Sequence, residues 1–593
     1  MRLIPPVLLL SILLCAAATP AWARGTIDKI QIEGLDRNAD AEMIENIEVS
    51  LSLFQAIGRP QGESRLEYLF NQAERQARQA LEPFGFYSPT IRIDSPRDGD
   101  HVNVIIHVDK GEPVRVRRSD IVLTGWAEED QYLQRDVAAF RPAKGEVFSH
   151  PAYEASKIRI TRRLAERGYF DADFTRRRVE VTRADFAADI DLAWDSGRRY
   201  DMGPVRFEHD FFRPGLFDPL VYWEEGSYYH EGKLDRLRES LIKLDYFSTI
   251  DIQPRPEEAD ADGRVPIDVR LERAKRTIYT AGLSYGSESG PGVRGGLQRR
   301  YVNSRGHKMN TQLDFAQKRK SLASSYSVPA FGWLDGWYTF SASLYDEQTD
   351  YIDLRNVKVS AARSGQINEH WTAIASINAL RERWRYSTND QPDPFYQYAT
   401  FVYPQLDANY VNVDDRMFPR HGIAARTFTR GGVEGVGSDT SFVQAYAQMF
   451  WFIGLGDTDR LILRGEGGTT WTDDLVSMPP SLRFFAGGDN SIRGYAFREV
   501  GPRTPPPDKY ALGAKHLVTA SVEYERYFGS GPWGAAVFVD TGSAFDTRPD
   551  LHTGVGVGLR WKSPVGPVRV DVAHGLNDPD SQFQLYINIG ANL

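Results

Sequence analysis

Hydrophobic and polar positions along this chain follow two regimes. Up to about residue 274 the period alternates between helix and strand; beyond it only the strand period persists. In the first regime a strand around Ile30 and Ile32 precedes a helix. Leu66, Leu69, Phe70, Ala73, Ala77, Ala80, Leu81 and Phe84 mark one face of that helix at i, i+3, i+4 spacing. Ser64 and Glu67 predict a capping box at its start. The helix stops at Gly85-Phe86-Tyr87, and two alternating strands follow, near Ile91 and Ile93 and through Val102, Val104, Ile106 and Val108. A glycine suits such a stop, because a helix that swings into a strand needs a left-handed residue there.

The same order recurs twice. A strand with Ile121 and Leu123 leads to a helix with Ile158, Thr161, Leu164 and Ala165 that ends at Gly168-Tyr169-Phe170. A strand with Val205 and Phe207 leads to a helix with Leu234, Leu237, Leu241 and Leu244 that ends at Asp245-Tyr246-Phe247. Each stop is followed by two alternating strands, and the near-constant offset predicts tandem domains. Asp245 stands where the other two units have glycine, which makes the third turn the exception. Expected boundaries are 24–112, 113–198 and 199–274.

The second regime, 275–593, consists of short alternating segments separated by Gly, Asn, Asp and Pro turns. This is the pattern of a transmembrane antiparallel β-barrel, with room for about 16 strands. Its last strands are the clearest. Val537, Val539 and Thr541 oppose Phe538, Asp540 and Gly542; Val555, Val557, Leu559 and Trp561 alternate with Gly556, Gly558 and Arg560. Val568, Val570 and Val572 alternate with Arg569 and Asp571, and Phe583, Leu585, Ile587, Ile589 and Ala591 share one face. Apolar groups outward and charges inward is the arrangement that lipid demands.

Composition sharpens this picture. The 593 residues exceed one ordinary core, and a net charge of −9 argues against a general nucleic-acid binder. Arg2, the apolar run Val7 to Ala18 and Ala21-Trp22-Ala23 predict a signal peptide over 1–23 and therefore export. The single cysteine, Cys15, falls inside that segment, so the mature chain would have no disulfide and no thiol chemistry.

Candidate chemistry centres on Arg483-Phe-Phe-Ala-Gly-Gly-Asp-Asn-Ser-Ile-Arg-Gly-Tyr495, a loop too rich in glycine for a strand or a helix interior. Arg493, with Gly494 and Tyr495 beside it, is a planar cation in search of a carboxylate. Asp540 in Phe538-x-Asp540-x-Gly542 faces inward, as do Glu523 and Glu525 by parity, so any of the three qualifies as partner. The expectation is a structural latch. Gly282-Leu-Ser-Tyr-Gly286 matches a nucleophile elbow, but no helix follows it. Gly290-Pro-Gly-Val-Arg-Gly295 matches a dinucleotide fingerprint and is expected to be a turn. Scattered histidines give a metal site a low prior. No enzyme activity and no cofactor is expected.

The repeats over roughly 25–274 resemble POTRA domains, βααββ modules of outer-membrane assembly proteins. Together with the Ile-Arg-Gly-Tyr loop, the Phe-x-Asp-x-Gly strand, Tyr301-Val-Asn-Ser-Arg305 and Phe484-Phe-Ala-Gly-Gly-Asp489, they resemble the BamA/TamA superfamily. Three repeat units point to its TamA branch. The resemblance implies a barrel that inserts or folds outer-membrane proteins, autotransporters included, and a periplasm-spanning partner similar to TamB docked on the repeats. It also implies a lateral seam between the first and last strands, around Gly282, Tyr285 and Gly286 on one side and Ile587 and Gly590 on the other. The C-terminus, Gly590-Ala-Asn-Leu593, departs from the terminal aromatic common in outer-membrane proteins. The alternative is a two-partner secretion transporter exporting an unfolded exoprotein through the barrel, which typically has two POTRA units and a plug helix.

Overall fold

The computed structural model describes residues 24–286, 289–332, 336–349, 352–388, 391–392, 395–504, 511–529, 531–564, 566–577 and 583–589. The predicted signal peptide, residues 1–23, lies outside them, as does Gly590. No helix among the described residues is long and apolar enough to cross a membrane. The chain divides into two compact units. The second comprises Arg206–Tyr222, Arg236–Ile252 and Asp268–Leu593, so part of the third repeat is built together with the barrel.

In the first repeat, strand Arg24–Glu33 pairs in parallel with His101–Asp109, which Thr90–Asp94 joins antiparallel. Helix Glu63–Leu81 buries Leu66, Leu69, Ala73, Ala77, Ala80 and Leu81 against that sheet's Val102, Val104 and Ile106. The helix starts earlier than the capping box would allow. Its N-cap is Gly62, which the chain reaches by pairing Pro60–Gly62 with the first strand, so Ser64 already lies in the first turn. The second repeat has the same topology, with Arg115–Thr124 parallel to Ala187–Asp195 and Asp173–Thr182 antiparallel to it. Its two helices are properly capped: Asp130 accepts from Tyr132 N–H and Ser149 from Ala152 N–H. In the third repeat the first helical position is one 3-10 turn, Asp218–Leu220, before helix Glu231–Lys243.

The three helix stops share one backbone solution. Gly85 has φ +91°, Gly168 +85° and Asp245 +52°. The aspartate therefore occupies the left-handed region that its position requires, at a cost of about 1 kcal/mol relative to glycine.

The barrel strands are β1 Thr277–Gly286, β2 Gly290–Arg299, β3 Lys308–Ala316, β4 Arg319–Ala330, β5 Gly336–Gln348, β6 Ile352–Gln366, β7 Trp371–Thr388 and β8 Gln397–Val413. They continue with β9 Gly422–Gly432, β10 Phe442–Leu455, β11 Asp459–Trp471, β12 His516–Tyr527, β13 Trp533–Phe545, β14 His552–Ser563, β15 Gly566–Gly575 and β16 Gln584–Ile589. Neighbours in sequence are antiparallel neighbours in space, with β1 and β16 as the terminal members; a short strand, Gln391–Pro392, pairs with the end of β7. Outward Val537, Val557, Leu559, Leu585 and Ile587 are exposed, whereas inward Phe538, Asp540 and Arg560 are buried. The serine of the elbow-like motif sits within regular strand β1. The fingerprint-like motif is a turn only at Gly290, φ +74°; Pro291 to Gly295 are drawn into the β1–β2 ladder.

Candidate functional site

Between β11 and β12 the chain is described over 472–504 and 511–515, and part of this loop packs among inward-facing barrel side chains. Its own core is Phe484, Ala486, Ile492, Tyr495, Val500 and Ala514, which pack with Leu517 of β12 and Ala544 of β13. Arg483 ties the loop to itself. Its guanidinium donates to the carbonyls of Val476, Met478 and Leu512 at 2.7 to 2.9 Å.

Arg493 is 3% exposed. Its Nε and Nη2 donate to the two oxygens of Asp540 at 2.7 and 2.9 Å, a bidentate pair, and its backbone N–H donates to Asp540 Oδ2 at 3.0 Å. Nη1 donates to Glu523 at 2.7 Å and to Asp571 at 3.1 Å. The guanidinium lies 3.3 Å from the centroid of the Phe538 ring, so the Phe-x-Asp pair supplies both a face and a fork. Of the sequence candidates, Asp540 and Glu523 thus meet Arg493. Glu525 faces inward as its parity requires but is held by Arg460 at 2.6 Å and Arg560 at 2.7 Å.

Sequence reasoning missed part of this network. Arg560 donates to Glu523 at 2.6 Å, Glu525 at 2.7 Å and Asp571 at 2.5 Å. Three arginines, Arg460, Arg493 and Arg560, hydrogen-bond four carboxylates across β11 to β15, with Arg493 contributed by the loop; a fourth, Arg464 of β11, lies 3.9 Å from Asp540. Burial of single charges would be prohibitive; sharing leaves every carboxylate with at least one guanidinium. The inward parity of Arg560 and Asp571 was visible, but their convergence with Glu523 depends on strand register.

Two features make room for the loop. The Phe538 ring lies against Gly556, where a Cβ would collide with it, and Gly542 leaves no Cβ space beside Thr519. Gly494, φ +99°, passes so close to His574 and Gly575 that a side chain would strike their backbone. The next contacts reach the terminal strand. Gly494 N–H donates to Tyr586 Oη at 3.0 Å, and that hydroxyl donates to the Tyr495 carbonyl at 2.7 Å. Tyr495 Oη donates to the Thr553 carbonyl at 3.3 Å. The loop thereby touches every strand from β12 to β16.

Of the seam candidates, Gly282 lies within β1, which Tyr285 and Gly286 end, and Ile587 lies outward on β16 at 58% exposure.

Residues 302–592 match the Omp85 superfamily domain, 29–110 match the POTRA domain described as TamA domain 1, and 116–193 match a POTRA model described as surface antigen variable number repeat. The outer membrane protein assembly factor BamA of Nitratidesulfovibrio vulgaris is 24% identical over 362 residues, 58% of this chain and 44% of that protein. BamA of Neorickettsia risticii is 24% identical over 518 residues, 82% of this chain and 66% of that protein. The chain thus spans about half to two thirds of the length of these relatives. The crystal structure of Haemophilus ducreyi BamA lacking POTRA domains 1–3 superposes with a TM-score of 0.65 at 17% identity, covering 80% of this chain and 99% of that one. Fold and matches define the class: an outer-membrane β-barrel preceded by periplasmic POTRA domains. Within that class, residues 302–592 form an Omp85 superfamily domain, and the chain is similar to the BamA assembly factors.

Proposed function

We propose that this protein inserts or folds outer-membrane proteins, autotransporters among them, by offering the edge of a seam between β1 and β16 to an incoming strand. Main-chain pairing at a sheet edge needs no catalytic group, only an edge that can be exposed. The observation that carries this reading is the tie from the Arg493 loop to Tyr586. It links a buried ionic network to the terminal strand of the sheet, and this supports a loop that governs whether that strand stays docked. The match of 29–110 to the TamA-type first POTRA domain supports the TamA branch, and with it a TamB-like periplasm-spanning partner on the repeats.

The test is a covalent lock. The mature chain would bring no competing thiol, so a cysteine at Gly282 is paired with cysteines scanned along β16 around Ile587. Oxidation is expected to stop client insertion into liposomes, and reduction to restore it. Full insertion by the locked form would end the lateral-opening reading; solute efflux without client insertion would favour a conduit instead.

A further inference from the structure

The outward face of β3 to β8 carries a feature that neither the latch nor the seam uses. The chain enters the barrel from the periplasm at β1, so the end of β3, start of β4, end of β5, start of β6, end of β7 and start of β8 all lie at the outer rim. A groove of about 450 Å³ crosses these strands there. Its lower wall is a row of cross-strand apolar partners, Leu313, Leu322, Leu344 and Val357, each 40–49% exposed. Above that row the same face turns cationic. Lys320 is paired in register with Asp346, Asp346 with Arg355, Arg355 with Arg383, and Arg383 with Tyr398. Arg381 lies beside Val357 on the same face.

The charges do not balance. Asp346 is engaged by Arg355, and Asp353 by Arg385 at 3.2 Å and by the Tyr396 hydroxyl at 2.6 Å. Among the described residues, Lys320, Arg381 and Arg383 have no carboxylate partner on this face. Arg383 stands directly opposite Arg355 on the neighbouring strand, so beside the Arg355–Asp346 pair it adds a further cation to the same face. Tyr396 stacks beneath Arg383 and Arg385 at 4.6 and 4.5 Å, which holds both guanidinium planes in place. A band of cations immediately above lipid-exposed aliphatics matches a molecule with phosphate above and acyl chains below. We propose that this groove binds a phosphorylated lipid of the outer leaflet, with phosphate among Lys320, Arg355 and Arg383 and acyl chains along the Leu313–Val357 row.

Native mass spectrometry of the full-length protein, released from nanodiscs containing phosphatidylcholine and bisphosphorylated lipid A, tests this. Wild type is expected to retain the phosphorylated lipid in preference to its dephosphorylated form, and millimolar inorganic phosphate should not displace it. Arg355→Gln with Arg383→Gln should weaken retention roughly tenfold or more, as loss of charge-assisted contacts implies. Lys320→Gln alone should weaken it severalfold, which guards against a folding defect in the double variant. Arg526→Gln, on the outward face at the opposite end of β12, should leave retention unchanged. Equal retention of dephosphorylated lipid, displacement by inorganic phosphate, wild-type retention by both patch variants, or an equal loss in Arg526→Gln would each overturn the proposal.

Discussion

Arg493 is the side chain by which the loop enters the barrel's ionic network. Its Asp540 pair is bidentate and desolvated, and removing one partner of such a pair leaves a buried charge uncompensated. Arg493→Ala is expected to destabilise the folded barrel by roughly 3–5 kcal/mol, measured by denaturant unfolding in detergent. Arg493→Lys should fall between, because a point charge cannot fill the two-oxygen fork. Wild-type stability in Arg493→Ala would refute the latch. Asp245 is the second decisive residue. Its carboxylate accepts from Arg300 Nε at 2.9 Å and Gln298 Nε2 at 3.3 Å, both at the foot of the barrel, where glycine could accept nothing. The sequence flagged Asp245 as an irregular turn; the structure gives its carboxylate two partners on the barrel. Asp245→Gly should relax the turn yet loosen that tie. Spin labels at Lys243 and Arg305 would then give a broader distance distribution than in wild type, and an unchanged distribution would show the tie to be idle.

At the scale of elements, periodicity located the helices and strands because each repeat buries one face. Helix ends were harder: the capping-box signal at Ser64 was displaced by a tertiary event, the pairing of Pro60–Gly62 with the first strand. The first repeat is also pinned by an ion pair outside any periodic signal. Lys110 Nζ donates to both oxygens of Asp40 at 2.9 Å, and this bond is the main cause holding the Asp40 carboxyl below its usual range. A carboxyl depressed in the folded state contributes stability that is complete above its unfolded value, about 3.9, and is lost as pH falls through its folded value. Asp40→Asn should therefore reduce amide-exchange protection of residues 24–109 near neutral pH, and the difference should shrink below the unfolded value, about 3.9, and disappear once the folded-state carboxyl is protonated. A deficit that persisted in acid would show that the carboxylate charge is not responsible.

At the scale of the molecule, the Arg493 loop joins β12 to β16 through one network, and Tyr586 ties the terminal strand to it by two hydrogen bonds. Tyr586→Phe keeps the ring and removes both hydrogen bonds. On the proposed function it should leave the arginine network and the barrel intact while changing the rate of client insertion in liposomes. An unchanged rate would separate the latch from the seam.

The sequence by itself determined the architecture. Period 2 and period 3.6 follow directly from which side chains must leave water or enter lipid, and both can be counted without coordinates. It also determined the inward faces of Glu523, Asp540, Arg560 and Asp571, since parity along a strand is local. Only the tertiary structure decided which arginine holds which carboxylate, because register between strands and the path of a glycine-rich loop are not encoded in any one segment. That is why Glu525 went to Arg460 and Arg560, why Asp571 and Tyr586 joined the site, and why Asp245 could be a contact rather than a defect.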